Sequence, residues 1–332
     1  MNKVLLFYLT ANDRFFYFDE FIKELIKCEN IINIELLIIN SFNDMNYYKN
    51  ILKNYTINYH LAYVPCPKHN YLPKVKYAIE YAKNNNINYI FKCDNDMIIT
   101  YYTIDYIISN LNKLDNEFLT LQPCISTGIP TVEYFIDDLF NKTEQNLIYN
   151  EFLKCKFNNQ IGVYDYRVLN SCLNDYYWDK DTFYTMTTDL NTYYKGIHPI
   201  RYGFGNDILN ELIVLNKNII FEKKECNIIS EKNNYIANMC FFISTKNYDR
   251  LINIENFTIN GCDDVQIYRY SKKYNIQHGI ISRGYAIHLS YGWRWTLNEN
   301  QTNDDYININ CPTNTLLEYE IMYFNKLYNK TI

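Results

Sequence analysis

Along the first hundred residues the apolar positions alternate between two periods. Lys3 to Leu9 and Ile34 to Ile39 are short, nearly continuous apolar runs, as a strand buried on both faces requires, and Phe18 to Ile26 between them has helical spacing. A second helix is predicted over Leu72 to Lys83, where Val75, Ala78, Ile79 and Ala82 share one face, and it feeds the apolar run Tyr89-Ile90-Phe91. Strands alternating with helices predict an α/β domain with a parallel sheet, whose ligands collect beyond the carboxyl ends of the strands. Each predicted strand ends in polar residues: Thr10-Ala11-Asn12-Asp13-Arg14, Asn40-Ser41-Phe42-Asn43-Asp44 and Asp94-Asn95-Asp96. Three such ends on one rim have the character of a nucleotide site.

Further along, Leu121 to Ile125 reads as a strand returning to the sheet, Val132 to Phe140 as the start of a helical stretch, and Asn238 to Ser244 as another strand. Leu316 to Tyr328 has the apolar spacing of a helix that docks on the body or on a partner. The middle of the chain is aromatic around Asp175 to Trp178 and Tyr193 to Gly205 and carries turn signals. Those rings suit either stacking on a sugar or filling a core, and sequence leaves both open.

The chemistry concentrates in Lys92-Cys93-Asp94-Asn95-Asp96-Met97. If strand alternation continues past Phe91, Asp94 and Asp96 project from the same face. Paired hard oxygens suit Mg²⁺ or Mn²⁺, with diphosphate oxygens completing the coordination. A polar turn after a strand explains the same triplet.

With these blocks in place, the chain resembles the glycosyltransferases of GT-A fold, most closely the family-2-like group that uses nucleotide-sugar donors. The resemblance rests on the first strand with Thr10 to Arg14, the second ending Asn40-Ser41, the helix Lys74 to Lys83 and the run Tyr89 to Asp96. A second block comprises Gly261 to Tyr270, Tyr274-Asn275-Ile276 and Tyr285 to His288. It implies a Rossmann-like, mixed, mostly parallel sheet flanked by helices, a nucleotide-diphosphate sugar donor, and Mn²⁺ or Mg²⁺ as cofactor. Residues 1–110 would be the nucleotide-sugar-binding half, 111–220 an insertion or specificity region, and 221–332 the acceptor half with a C-terminal helix.

Carried over residue by residue, the resemblance makes Asp96 a metal ligand and His288 a further one. Asp94 would hold the ribose or a metal-bound water, and Thr10, Asn12, Arg14, Asn40, Lys74 and Asn95 would join it in binding the nucleotide-sugar. In inverting members the second acid of the later pair is the general base, which maps to Asp264, with Asp263 orienting the acceptor. The chain departs from the family at Asn40, where an Asp commonly contacts the base or ribose, so the nucleotide is left open. Plain readings stand beside these: Asp263 and Asp264 also suit a helix N-terminus, where the macrodipole favours acids, and His288 also suits a hydrogen-bonded histidine in a strand.

The resulting expectation is a metal-dependent enzyme moving a sugar to a hydroxyl of a glycan, lipid-linked sugar or protein. Two alternatives remain: a phage or viral transferase acting on a modified DNA base, and a noncatalytic sugar-binding relic. The lack of a Gly-x-Gly-x-x-Gly phosphate loop counts against a nucleotidyltransferase.

Composition bounds these readings. With 332 residues, 48% hydrophobic and 17% aromatic, the chain suits one large α/β domain or one with appendages. The net charge of −5 disfavours nonspecific nucleic-acid affinity, though a local basic groove is compatible with it. Ten cysteines without a Cys-x-x-Cys pair point to reduced thiols and a cytoplasmic setting, that of a host if the chain is viral. No apolar run reaches the roughly 18 residues of a membrane span. The 35 tyrosines beside 9 glycines and 7 prolines read as AT-rich coding, of the kind found in large viruses, phages and AT-rich microbes.

Overall fold

The computed structural model describes residues 3–10, 14–42, 44–66, 71–128, 130–153, 203–231, 236–253, 263–291 and 311–330. In chain order the elements begin β1 (Val4–Thr10), α1 (Phe15–Leu25), β2 (Ile34–Asn40), α2 (Asn46–Leu52), β3 (Tyr59–Tyr63), α3 (Leu72–Asn84) and β4 (Tyr89–Asp94). They continue through β5 (Met97–Ile99), α4 (Tyr101–Ser109), β6 (Phe118–Ile125), α5 (Thr131–Leu139), α6 (Lys142–Leu153), α7 (Gly203–Leu215) and α8 (Lys217–Phe221). The chain then forms β7 (Asn227–Glu231), β8 (Cys240–Ser244), α9 (Thr245–Ile252), α10 (Asp263–Tyr274), β9 (Gln277–His288) and α11 (Leu316–Tyr328). Each strand and helix expected from the apolar pattern has its counterpart within a few residues.

The chain divides into two compact units, Met1–Thr131 with Lys223–His288, and Val132–Glu222 with Leu289–Ile332. The first contains a nine-stranded sheet in the order β3-β2-β1-β4-β8-β6-β9-β5, with β7 paired to β9. The strands β3, β2, β1 and β4 are parallel, while β8 enters antiparallel between β4 and β6. This is a mixed, mostly parallel sheet flanked by helices, consistent with a Rossmann-like GT-A fold. One core layer joins Leu5, Phe7, Leu37 and Ile39 of the sheet to Val75, Ala78, Ile79 and Ala82, the face predicted for α3.

Register sets the rim. Thr10 lies beside Asn40 and Leu9 beside Asp94, so the polar ends of β1, β2 and β4 meet at one edge, as their sequences predict. The last strand reaches this edge through an irregularity: Pro123 pairs with Ile281 but Cys124 with Tyr285. Arg283 there has φ of 60°, and a Cβ on the adjoining Gly284 would stand 2.6 Å from Ile281 Cγ2. A bulge of this kind bends a strand and re-aims the residues beyond it, here the segment ending at His288.

In the second unit α7 packs on α6 and α11. Glycines make the close approaches: a Cβ at Gly203 would lie 2.1 Å from Tyr291 Cε1, and one at Gly205 2.1 Å from Phe152 Cδ1. The predicted docking helix α11 starts on Thr315, whose Oγ1 accepts from the Glu318 amide at 3.0 Å, and it buries Tyr319, Tyr323, Phe324 and Leu327.

Candidate functional site

The end of β4 carries the site's first ion pair. Lys92 and Asp94 are two residues apart in a strand and so share a face, and Lys92 Nζ lies 2.9 Å from Asp94 Oδ1. The lysine side chain is fully buried, a position a cation holds only when paired. It also donates to the carbonyl of Asn238 and lies 5.4 Å from the Tyr71 ring centroid and 5.9 Å from that of Phe241. From β8's side, the Met239 carbonyl accepts from the Asp94 amide at 2.9 Å.

Past Asp94 the alternation expected from the sequence ends. The chain turns at Asn95 and Asp96 before β5 begins, so the turn, and not the pleat, directs the Asp96 carboxylate. The turn is anchored from β1: Asn95 Nδ2 donates to Thr10 Oγ1 at 3.3 Å, and Tyr8 donates to the Asn95 carbonyl at 3.1 Å. Thr10 Oγ1 in turn shares a 2.6 Å hydrogen bond with the Tyr48 hydroxyl of α2.

Antiparallel pairing of Met97 with His288 brings the end of β9 to this turn. His288 Nε2 lies 3.3 Å from Asp96 Oδ2, and Arg14 Nε, at the start of α1, lies 3.7 Å from the same oxygen. The imidazole's other face is fixed by a 2.6 Å hydrogen bond between Nδ1 and Thr127 Oγ1, and its backbone amide donates to Ser126 Oγ at 2.9 Å. Burial on its own would push the Asp96 carboxyl up. The charge and hydrogen bond of His288, with Arg14 adding to them, outweigh it and hold Asp96 well below the usual carboxylate range.

Of the residues singled out from the sequence, Thr10, Arg14, Asp94, Asn95, Asp96 and His288 thus converge. Asn40 is completely buried at the same rim, but its side chain closes its own loop: Oδ1 accepts from the Phe42 amide and Nδ2 donates to the Asp44 carbonyl, both at 3.3 Å. Lys74 is buried as well and donates to the Thr10 carbonyl at 2.7 Å, bracing α3 against the end of β1. Asp263 and Asp264 are the first residues of α10, as predicted, though their side chains lie outside the described residues. Asn12 and the aromatic runs around 175–178 and 193–202 also lie outside them.

Sequence reasoning passed over Lys92 and Thr127. A lysine inside an apolar strand run was a signal for the first. Nothing local marks Thr127, which meets His288 across 161 positions of chain.

Among the described residues no group of three or more His, Cys, Asp and Glu side chains is arranged to hold a metal ion. Asp96 and His288 provide two donor atoms. Their 3.3 Å separation is close to the roughly 3 Å between adjacent ligands of an octahedral ion bound at about 2.1 Å. An oxygen and an imidazole nitrogen suit Mn²⁺ and are compatible with Mg²⁺ if waters and phosphate complete the shell. The pair therefore fits two of the six positions around an octahedral cation whose shell waters and phosphate complete.

No family model matches the chain, and no curated protein matches it. Solved structures similar to it include S. aureus TarS residues 1–349 in complex with UDP-GlcNAc, at TM-score 0.31 and 15% identity over 37% of this chain and 34% of that one. A cytidylyltransferase from Leptospira borgpetersenii matches at TM-score 0.30 and 15% identity, over 37% of this chain and 53% of that one. The mannosyltransferase PcManGT from Pyrobaculum calidifontis, in complex with GDP-Man and Mn²⁺, matches at TM-score 0.29 and 11% identity, over 36% and 34%. The chain thus spans about a third of the length of the TarS and PcManGT chains. No helix among the described residues is long and apolar enough to cross a membrane.

The site's electrostatics predict two outcomes. Lys92→Met should destabilise the first unit by about 3–5 kcal/mol, because Asp94 keeps a part-buried charge without its partner. Adding Asp94→Asn should recover part of that loss in urea unfolding; no recovery would assign the loss to packing of the lysine stem. For Asp96, a lowered folded pKa means stabilisation that is complete above the unfolded value of about 4 and is lost as pH falls toward the folded one. In metal-free protein the stability advantage of wild type over Asp96→Asn should therefore shrink as pH falls from about 4 to about 2. A gap that stays constant down to pH 2 would contradict the ion-pair account.

Proposed function

We propose that the protein transfers a sugar from a nucleoside-diphosphate sugar to an acceptor hydroxyl, with Mg²⁺ or Mn²⁺ held by Asp96 and His288. The observation that supports this reading is the approach of those two side chains, from β9 and the β4–β5 turn, at the carboxyl rim of the parallel strands. When bound, the cation would act as a Lewis acid on charge developing at the departing diphosphate.

The chain's own groups divide the remaining work. Thr127, bonded to Nδ1, keeps the imidazole oriented with Nε2 toward Asp96, the outer-shell support that metal-binding histidines generally have. The turn held by Tyr8, Thr10 and Asn95 keeps the Asp96 carboxylate in place. Asp94, whose charge Lys92 already balances, is suited to accept a hydrogen bond from a ribose hydroxyl more than to neutralise a cation. Arg14 donates to the diphosphate. At the start of α10, Asp264 takes the acceptor's proton in an inverting displacement and Asp263 orients the acceptor. The acceptor is a hydroxyl of a glycan, a lipid-linked sugar or a protein.

A panel of nucleotide-sugars assayed for slow hydrolysis tests the reading. Wild type should release nucleoside diphosphate and free sugar in a Mn²⁺- or Mg²⁺-dependent manner, and Asp96→Ala should abolish that release while remaining folded. Release of pyrophosphate would instead indicate nucleotidyl transfer, and donor binding indifferent to metal, without turnover, would indicate a binding relic. Once an acceptor is in hand, Asp264→Asn should preserve donor binding yet slow transfer by about 10²- to 10⁴-fold. A loss of only a few-fold, or a product retaining the donor's anomeric configuration, would remove the general-base role from Asp264.

A further inference from the structure

The Asp96 carboxylate that would bind a cation already faces a guanidinium. Arg14 Nε stands 3.7 Å from Oδ2, and the two side chains are 24% and 17% exposed, so the pair is neither locked in the core nor dissolved in water. Arg14 precedes the first turn of α1 with non-helical backbone angles, φ −135° and ψ 51°, and its side chain does not cap that helix. Lys92, a second cation at this rim, is differently placed: it is fully buried and held on Asp94, the Asn238 carbonyl and two aromatic rings. Arg14, by contrast, is partly exposed at the rim.

We propose that Arg14 alternates between two anions, the Asp96 carboxylate in the nucleotide-free protein and the diphosphate of a bound donor. This rests on the reading of Asp96 and His288 as a cation site. One carboxylate facing an imidazole and a guanidinium has little negative charge left with which to attract a divalent ion. Bringing such an ion to Asp96 places two further positive charges beside Arg14, and the repulsion at a few ångströms is large even with partial screening. The guanidinium finds relief on a phosphate, which its planar donors match in a bidentate fashion. Arg14 therefore weakens cation binding in the absence of nucleotide and strengthens nucleotide binding in the presence of the cation. It couples the two ligands, so that each raises the affinity of the other.

The exchange predicts effects of opposite sign from one substitution. The metal-free full-length chain, as wild type, Arg14→Gln and Arg14→Lys, is titrated with Mn²⁺ while free Mn²⁺ is followed by electron paramagnetic resonance. UDP and GDP are then titrated calorimetrically at saturating Mn²⁺. Arg14→Gln should bind Mn²⁺ alone about fivefold or more tightly than wild type, and should bind whichever diphosphate wild type takes about tenfold more weakly. Arg14→Lys keeps the charge and should stay within about twofold of wild type for Mn²⁺ alone. If Arg14→Gln binds Mn²⁺ no more tightly than wild type while wild type binds a diphosphate in a Mn²⁺-dependent manner, the exchange is wrong and the transferase reading stands. If wild type binds neither Mn²⁺ nor either diphosphate, the transferase reading fails and the exchange falls with it.

Discussion

A lysine ammonium enclosed within a sheet is tolerable only if its charge is answered at once, and the Lys92–Asp94 contact meets that constraint at the end of β4. Much of the rim is arranged around it. Because Asp94 is committed to Lys92, it cannot serve as an equal partner of Asp96, and the acidic triplet becomes asymmetric: one carboxylate balanced from inside the core, the other addressed by groups at the edge. The segment before β8 contributes to the same pairing through the Asn238 and Met239 carbonyls, which ties an antiparallel strand from late in the chain to the middle of a mostly parallel sheet.

The edge groups reach Asp96 from three directions: Arg14 from the start of α1, His288 from the end of β9, and the turn itself from β1 through Tyr8 and Thr10. No neighbour in sequence specifies this meeting. The sheet order does, since β9 can deliver His288 only by pairing with β5, whose first residue directly follows Asp96. Fold and site are in this sense one statement. A carboxylate held below its usual range at the carboxyl ends of parallel strands is the electrostatic counterpart of that topology.

The features legible in the chain by itself were local. The strands β1, β2 and β4 and the helices α1 and α3 were legible because apolar period and length suffice to define them, and their polar ends fell on one rim because parallel strands leave no other choice. Asp96 and His288 were legible as candidates through family resemblance, whereas their 3.3 Å approach was not, since it depends on pairing between segments almost two hundred positions apart. Asn40 and Lys74 show the opposite limit. Both are polar residues at the rim, and each makes a hydrogen bond to the scaffold: Asn40 closes a loop and Lys74 braces a carbonyl. Composition cannot distinguish a side chain that faces a ligand from one that faces its own backbone.

The bulge in β9 has a consequence for how this chain tolerates change in length. Between Ile281 and Tyr285 the strand carries residues that its neighbour β6 does not match, and Arg283 takes up the left-handed backbone this requires. Side chains alternate across a strand, so losing a single residue from Ser282 to Gly284 would turn His288 toward the opposite face of the sheet while leaving composition and apolar pattern almost unchanged. Length is not the sole constraint there, since a Cβ at Gly284 would stand 2.6 Å from Ile281 Cγ2 and substitution at that position is not absorbed either. The spacing between Ile281 and His288 is therefore a signature of a working site alongside the glycine at position 284.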